Sequence, residues 1–298
     1  MTEIRVCVDC ETQLGESPLW DVAEQRLYWL DSLGGDIRRC TADGSELRHW
    51  KLPAAIGSVS LRVGGGAVVT LETGLHLFDF DTEKLELIAH PEQGLDHVRL
   101  NDGAIDSRGR LITGSLDMGT IYDPVETREP RGSLWRLDTD LSVHKLGSDI
   151  SVANGPCWSP DARKFYVTDT NLQAIFVYDW DEESGVPSGR RIFVQGSETD
   201  LPDGCTVDAE GYVWSVFNGA YNGTGRIHRY APDGTLDRRI DMPTPRPTSL
   251  MFGGPDLDIL YVTSMTIPSN VPNTPLDGRL FSVHGLGVRG LPERRFAG

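Results

Sequence analysis

The chain has 298 residues, 24% of them charged, and a net charge of −16, which excludes two classes of partner. Nucleic acids and anionic membrane surfaces are bound by basic faces, and so acidic a chain does not predict one. With 39% hydrophobic residues and 33 glycines, the composition instead predicts one large all-β domain over residues 1–298. No apolar run could span a bilayer, and the N-terminus lacks the apolar core of a signal peptide. We therefore expect a cytoplasmic protein with reduced cysteines, either a monomer or a weak oligomer.

One short unit recurs about six times along the chain. It consists of a polar residue, a small apolar stretch, an Asp- or Gly-rich turn and a strand rich in aromatic and β-branched residues. The six copies begin at Glu16, Gly57, Asn101, Asn154, Asp203 and Thr248. Their starts fall about 41 to 53 residues apart, which is the period of a propeller blade. Each copy resembles a β-hairpin, and further strand pairs lie between the copies.

Two hairpins per repeat make a four-stranded antiparallel sheet, and six repeats predict a six-bladed β-propeller around a central channel. One such sheet cannot bury both of its faces, so neighbouring blades must cover it. The tryptophans Trp20, Trp29, Trp158 and Trp214 are expected to pack between blades. The ring must also close, and we predict that residues 4–8 share a blade with residues 279–283.

The repeats also predict where chemistry occurs. The first residues of the inner strands converge at one end of a propeller channel, and here these residues include Glu16, Asn101, Asn154 and Asp203. Two neighbouring carboxylates repel each other, so a proton or a cation must neutralise them. Hard cations such as Ca²⁺, Mg²⁺ and Mn²⁺ prefer oxygen ligands of this kind. The alternative is that each residue merely forms the turn of its own hairpin. Their equivalent positions in different repeats favour a shared site.

Five segments of the chain carry a resemblance to a known family. They are Gly15-Glu16-Ser17-Pro18-Leu19-Trp20, Arg99-Leu100-Asn101-Asp102-Gly103, Asn154-Gly155-Pro156 with Trp158-Ser159, Pro202-Asp203-Gly204 with Asp208-Ala209-Glu210-Gly211, and Phe252-Gly253-Gly254 with Leu260-Tyr261-Val262-Thr263. In this order and spacing, over roughly residues 10 to 285, the chain resembles the gluconolactonase/regucalcin (senescence marker protein) family. The resemblance implies a six-bladed propeller with one divalent metal ion in its channel, and many members are sugar lactone hydrolases.

By this resemblance, Glu16, Asn154 and Asp203 would bind the metal, which we expect to be Ca²⁺, Mg²⁺, Mn²⁺ or Zn²⁺. Asn101 would contact the substrate, and Arg99 would hold substrate oxygens. The chain departs from the family after Gly114-Ser115, where several members carry an acidic substrate contact. Asp117 is the nearest acid here, and it is either a substrate ligand or a simple turn residue, followed by a long charged loop from 121 to 131.

The expected chemistry is hydrolysis of a sugar lactone, a small-molecule substrate. The metal would act as a Lewis acid on the carbonyl oxygen, and Asp203 is our candidate for general base, metal ligand or both. Arg99 is suited to sugar hydroxyls or a carboxylate, although a salt bridge at the channel rim is the simpler alternative. Two other functions stay open, because fold does not imply function. One is a metal-binding regulatory or scaffold protein without turnover, and the other is an esterase or phosphotriesterase.

Overall fold

Every strand named here belongs to a four-stranded antiparallel sheet in the computed structural model, which describes residues 2–119, 130–197, 199–219, 223–268 and 273–298. In chain order the strands are β1 (Glu3–Val8), β2 (Gly15–Asp21), β3 (Arg26–Asp31), β4 (Asp36–Cys40), β5 (Arg48–Lys51), β6 (Ile56–Leu61), β7 (Ala67–Leu71), β8 (Gly74–Phe78), β9 (Leu85–Ala89), β10 (Val98–Ile105), β11 (Leu111–Asp117), β12 (Gly132–Leu137), β13 (Val143–Ile150), β14 (Ala153–Trp158), β15 (Lys164–Asp169), β16 (Ala174–Asp181), β17 (Val186–Gln195), β18 (Leu201–Val207), β19 (Val213–Asn218), β20 (Arg226–Tyr230), β21 (Leu236–Asp241), β22 (Pro247–Gly253), β23 (Ile259–Ser264) and β24 (Leu280–His284).

Five of the sheets are formed by four consecutive strands each, and we call them blades 1 to 5, from β2–β5 to β18–β21. Blade 6 has the order β1-β24-β23-β22, so the start of the chain completes the last blade. Ile4 lies opposite Val283 and Arg5 opposite Ser282. The predicted six-bladed propeller of four-stranded antiparallel blades is therefore confirmed, and so is the predicted pairing of the two ends. No helix in the described ranges is long and apolar enough to cross a membrane.

The chain divides into two compact units of three blades each. The first unit comprises Met1–Pro53 and Gly196–Glu293, which contain blades 5, 6 and 1. The second comprises Ala54–Gln195 and Arg294–Gly298, which contain blades 2, 3 and 4. Within each unit the first strands of neighbouring blades pack side by side. The single domain over residues 1–298 stays a prediction.

The core of the first unit lies between its blades. Trp20 of blade 1 stacks on Tyr261 of blade 6, with ring centroids 6.0 Å apart. Trp214 of blade 5 meets Phe252 of blade 6 edge-on at 5.5 Å. Aromatic pairs of this kind stabilise a fold by about 0.5–1.5 kcal/mol beyond the area they bury. The expectation that tryptophans pack between blades is confirmed for these two residues.

The core of the second unit includes a short piece of the C-terminal segment. Phe296 is fully buried among leucines and isoleucines of blades 2 and 3. Its backbone N–H donates to the Leu61 carbonyl at 2.8 Å, and its carbonyl accepts from the Val63 N–H at 2.9 Å. The Ala297 N–H donates to the Gly109 carbonyl at 3.0 Å. Residues 294–298 thus attach to blades 2 and 3 through both backbone and core contacts.

Candidate active site

We call the strand that begins the sequence repeat of each blade its first strand (β2, β6, β10, β14, β18 and β22), and the strand paired with it its second strand. Every first strand carries an irregularity in its pairing with the second strand. The register shifts between Glu16 and Leu19, Ile56 and Ser58, Leu100 and Gly103, Asn154 and Cys157, Pro202 and Cys205, and Pro247 and Leu250. The residue that begins each sequence repeat lies at or within this shift, and we call its place the bulge position. Its occupants are Glu16, Gly57, Asn101, Asn154, Asp203 and Thr248. β-Bulges bend a strand and re-aim its side chains, which makes them common beside active sites.

Hydroxyl groups on the second strands support these irregularities. The hydroxyl-to-carbonyl bonds run from Thr70 to Asn101 (2.9 Å), Thr113 to Asn101 (3.3 Å), Ser215 to Gly204 (3.2 Å) and Thr263 to Ser249 (3.3 Å). All four donor residues are almost fully buried. A bulge leaves part of the backbone outside the ladder, and a buried carbonyl there needs another donor. The Thr or Ser of the second strands of blades 2, 3, 5 and 6 supplies such a donor, a role that the repeat pattern alone does not reveal.

In the second unit, the structure brings three predicted site residues together. The Asn101 side-chain amide (Nδ2) donates to Oδ1 of Asn154 at 2.8 Å and to the Ala153 carbonyl at 2.9 Å. Nη1 of Arg99 donates to Oδ1 of Asn101 at 3.3 Å. Nδ2 of Asn154 donates to the Thr170 hydroxyl at 2.9 Å. With its NH₂ group held by Thr170, Asn154 presents its amide oxygen on the side of Asn101. This arrangement suits an oxygen ligand for a hard cation.

Asp102 is a residue of this cluster that the sequence analysis missed. It is 8% exposed, and its two carboxylate oxygens accept the backbone N–H groups of Gly155 and Gly103, each at 2.8 Å. Burial raises the pKa of Asp102 to about 6, although the two hydrogen bonds favour the ionised form. Gly155 has a φ of 55° and directly follows Asn154. Asp102 of blade 3 therefore fixes the backbone beside Asn154 of blade 4.

The raised pKa of Asp102 predicts a pH dependence of stability. In an unfolded chain an Asp titrates near about 3.9, so the folded protein binds this proton more tightly. The contribution of Asp102 to stability is therefore fully present below about pH 4 and is lost as the pH rises through about 6. We expect the stability of the wild type relative to Asp102→Asn to fall by roughly 2 kcal/mol from pH 4 to pH 7. Urea unfolding at several pH values measures this, and a constant difference would contradict the raised pKa.

The first unit carries the two predicted carboxylates. Asp203 lies in β18 and is 8% exposed, whereas Glu16 lies in β2 and is partly exposed. Ser17, directly after Glu16, has a φ of 48°, the left-handed conformation that Gly155 also adopts directly after Asn154. Blades 1 and 4 thus have the same backbone turn beside their bulge positions. This correspondence is not visible from residue types, because one blade uses Ser where the other uses Gly.

Two further aspartates hold the backbone just before Glu16 and Asn154. In blade 1, the Asp31 carboxylate accepts the N–H groups of Gln13 and Leu14, each at 3.2 Å. In blade 4, Asp169 does the same for the two residues at the matching positions, Ser151 (2.8 Å) and Val152 (3.2 Å). Burial raises the pKa of Asp169. Both strands that carry these predicted ligands are therefore anchored in the same way.

Asp117 has a defined partner in the structure. It is fully buried at the end of β11, and Nε of Arg131 donates to its Oδ2 at 2.8 Å. The Gly119 N–H donates to its Oδ1 at 2.9 Å. The carboxylate thus connects Gly119, just before the 121–131 loop, with Arg131 at the end of that loop. Residues 121–129 of the loop lie outside the described residues. A substrate contact by Asp117 stays a prediction.

The donor chemistry fits a hard divalent cation. In the part of the chain that the structure describes, no group of three or more His, Cys, Asp or Glu side chains stands close enough to hold a metal. The bulge positions offer instead two carboxylates and two amide groups. Ca²⁺, Mg²⁺ and Mn²⁺ accept amide and carboxylate oxygens together and retain water at open positions. The available donors are therefore more suitable for these ions than for a nitrogen- or sulfur-bound metal.

The described strands form a six-bladed β-propeller, and most of its bulge positions carry polar residues. The family model described as the SMP-30/Gluconolactonase/LRE-like region matches residues 14–266, and the chain belongs to this family. It is 35% identical to the 6-deoxy-6-sulfogluconolactonase of Pseudomonas putida, over the full length of both chains. It is also 35% identical to a pentonolactonase of Haloferax volcanii, over 89% of this chain and 85% of the relative. A solved structure of regucalcin from Agrobacterium tumefaciens, described as a calcium-binding protein, has a TM-score of 0.87 and 27% identity, with 99% and 97% of the two chains covered.

Proposed function

We propose that this protein is a sugar lactonase, a metal-dependent hydrolase that opens an aldonolactone to the aldonic acid. The observation that carries the proposal is the set of bulge positions, where Glu16, Asn101, Asn154 and Asp203 occupy the same place in four different blades. Two relatives that align over most of the chain are named as lactonases, which supports this reaction class. The chemistry of the bulge positions supports the metal.

The proposed ion would be held by Glu16, Asn154 and Asp203. The chain binds Ca²⁺, Mg²⁺, Mn²⁺ or Zn²⁺ in this proposal, and the calcium-binding description of the regucalcin relative supports a hard ion. Asn101 and Arg99 contact the substrate. The bond from Asn101 to Asn154 supports a substrate contact directly beside a metal ligand. Asp117 is a third candidate for contact with the substrate.

When bound, the ion supplies Lewis-acid stabilisation of the negative charge that develops on the carbonyl oxygen. Asp203 accepts a proton from the water whose oxygen attacks the carbonyl carbon of the lactone. The bond from that carbon to the ring oxygen then breaks, and Asp203 returns the proton to the leaving ring oxygen. The product is the open-chain aldonic acid, and Asp203 ends the cycle ionised as it began. Arg99 and Asn101 hold the substrate oxygens in position for the attack.

A second function is favoured by one specific observation, the relative described only as a calcium-binding protein. A binding protein of this kind needs the same ligands but neither a base nor room for a substrate.

The test is acid release from a panel of neutral and acidic aldonolactones, simple esters and phosphotriesters, in the presence of each candidate metal. The lactonase proposal expects turnover of at least one lactone in preference to esters and phosphotriesters. Tight metal binding without turnover of any lactone would instead support the binding protein.

A substitution of Arg99 tests whether this residue binds the substrate or takes part in the chemical step. Arg99 is buried, its Nη1 donates to Asn101, and a buried charged donor is worth more than an exposed one. We expect Arg99→Ala to raise KM, by an amount equivalent to ~2–5 kcal/mol for an acidic lactone and ~1–3 kcal/mol for a neutral one. Metal affinity should be unchanged because the ligands are intact. Steady-state kinetics on both lactone classes and a metal titration measure these effects.

The matched control is Arg108→Ala, which removes an exposed arginine from the turn after β10 of the same blade. This variant should behave as the wild type on every lactone. If Arg99→Ala lowers kcat and leaves KM unchanged, Arg99 orients Asn101 and does not grip the substrate. An unchanged KM and kcat on all accepted lactones would place Arg99 outside the site.

A further inference from the structure

Thr248 occupies the bulge position of blade 6, and neither the mechanism above nor the relatives' names assign it a role. Its side chain is fully buried, and its hydroxyl donates to the backbone carbonyl of Gly15 in blade 1. Gly15 directly precedes Glu16, the proposed metal ligand. Thr248 therefore bonds to the peptide group that joins Gly15 to Glu16.

The proton of the Thr248 hydroxyl is committed to this bond. A carbonyl oxygen cannot donate, so in the contact between Thr248 and Gly15 the threonine is the donor. Thr263 lies 2.9 Å from the Thr248 oxygen, and its single hydroxyl proton is shared between this oxygen and the Ser249 carbonyl at 3.3 Å. Thr263 in turn accepts the Ser249 N–H at 3.1 Å. The result is a directed chain of hydrogen bonds from blade 6 into the strand that carries Glu16.

The same contact recurs in the second unit. There Asn101, the bulge residue of blade 3, donates to the carbonyl of Ala153, which directly precedes the proposed ligand Asn154. In both units, then, a bulge side chain of one blade holds the carbonyl before the proposed ligand of the next blade. Asn101 is partly exposed and has a second side-chain group for other contacts, whereas Thr248 is buried and its only proton is used.

The backbone at Gly15 has little room to move. A Cβ added at Gly15 would lie 2.6 Å from the Ser264 carbonyl oxygen and 2.8 Å from the Thr12 hydroxyl. Interiors packed this closely transmit small shifts to their neighbours. A change in the anchor at the Gly15 carbonyl will therefore be felt at the next residue, Glu16.

We propose that Thr248 is a positioning residue that sets the Glu16 carboxylate for metal binding. This inference rests on the proposed function, because it assigns Thr248 to the same metal site. Thr248 acts through the backbone of Gly15 and touches neither metal nor substrate. Groups that orient ligands from outside the coordination shell change metal affinity by about 10- to 100-fold when they are removed.

The experiment compares Thr248→Val, which has the same shape without the hydroxyl, with Thr248→Ser, which keeps the hydroxyl. Thr206→Val is the matched control, because it removes a buried hydroxyl of the same unit that bonds only weakly, to the Met251 sulfur. Calorimetric titration with Mn²⁺ and with Ca²⁺ gives the metal affinity of each variant. Hydrogen–deuterium exchange of peptides covering residues 15–21, in metal-free protein, measures how strongly β2 is protected from opening, independently of any metal.

We expect Thr248→Val to bind metal at least about 10-fold more weakly and to exchange faster over residues 15–21. Thr248→Ser should restore both properties, and Thr206→Val should change neither. Wild-type affinity in Thr248→Val overturns the proposal, as does an equal loss in Thr206→Val. If the wild type itself binds no divalent ion, the metal site of the proposed function fails. In that case, exchange over residues 15–21 still tests whether Thr248 anchors this strand. If Thr248→Val exchanges at the wild-type rate, the anchoring role is refuted as well.

Discussion

Removal of divalent ions by a chelator is expected to abolish lactone hydrolysis and to lower the melting temperature. Glu16 and Asp203 are proposed to share one ion, and without it their two negative charges repel each other. An ion that binds only the folded protein stabilises it by about 2.7 kcal/mol at a concentration 100 times its Kd. Activity assays and thermal melts of the same metal-free sample measure both effects. Mn²⁺, Mg²⁺, Ca²⁺ and Zn²⁺ should restore turnover to different extents because they differ in preferred geometry.

The control for this experiment is Glu16→Gln, assayed with and without chelator. Loss of a carboxylate from the proposed ligand set should weaken metal binding, so the melting temperature of this variant should respond less to the chelator than that of the wild type. Desalting after chelation separates metal removal from direct effects of the chelator. Full activity in exhaustively metal-free wild type would refute the metal dependence.

Asp203→Asn is expected to lower kcat by at least ~10²-fold, the lower range for loss of a positioned acid or base. The substitution keeps the size of the side chain and removes its charge and basicity. Asp203 is 8% exposed at the bulge position of blade 5, outside the hydrophobic clusters of the first unit, so folding should survive. Single-turnover kinetics at saturating metal separates a role in chemistry from a role in metal binding.

Asp233→Asn is the matched control, because Asp233 is an exposed turn residue of the same unit. It should have wild-type kinetics. If metal-loaded Asp203→Asn turns over as fast as the wild type, Asp203 is not the base. If its activity is recovered fully by excess metal, Asp203 acts as a ligand alone.

The fold was predictable because its information is local. Each repeat contains its own alternating strands and its own turn, as in the run from Asn154 to Asp169, and hairpins of this kind are visible within short stretches of sequence. The pairing of residues 4–8 with residues 279–283 was predictable for a different reason. A repeat that lacks one strand needs a partner from the other end of the chain, and β1 against β24 supplies it.

The supporting contacts of the site were not predictable, because they join residues that are distant in sequence. Sequence analysis assigned no role of its own to Asp102, yet its carboxylate holds the backbone of Gly155, 53 residues away. Asp117 likewise has its partner in Arg131, across the charged loop. Side-chain to backbone bonds between neighbouring blades leave no periodic signal in the sequence. By contrast, the contact between Asn101 and Asn154 agrees with the expected convergence, since both residues begin a repeat.

The bulge position also bears on how such a protein can acquire new chemistry. Because the same backbone irregularity recurs in every blade, a single substitution there exchanges one functional group and leaves the scaffold unchanged. Not every copy is open to change, however. A Cβ at Gly57 would lie 2.4 Å from the Asn101 carbonyl oxygen, so blade 2 cannot accept a side chain unless blade 3 moves with it. Evolution and protein engineering therefore have fewer open positions than six repeats suggest, because a side chain at Gly57 requires the backbone at Asn101 to shift.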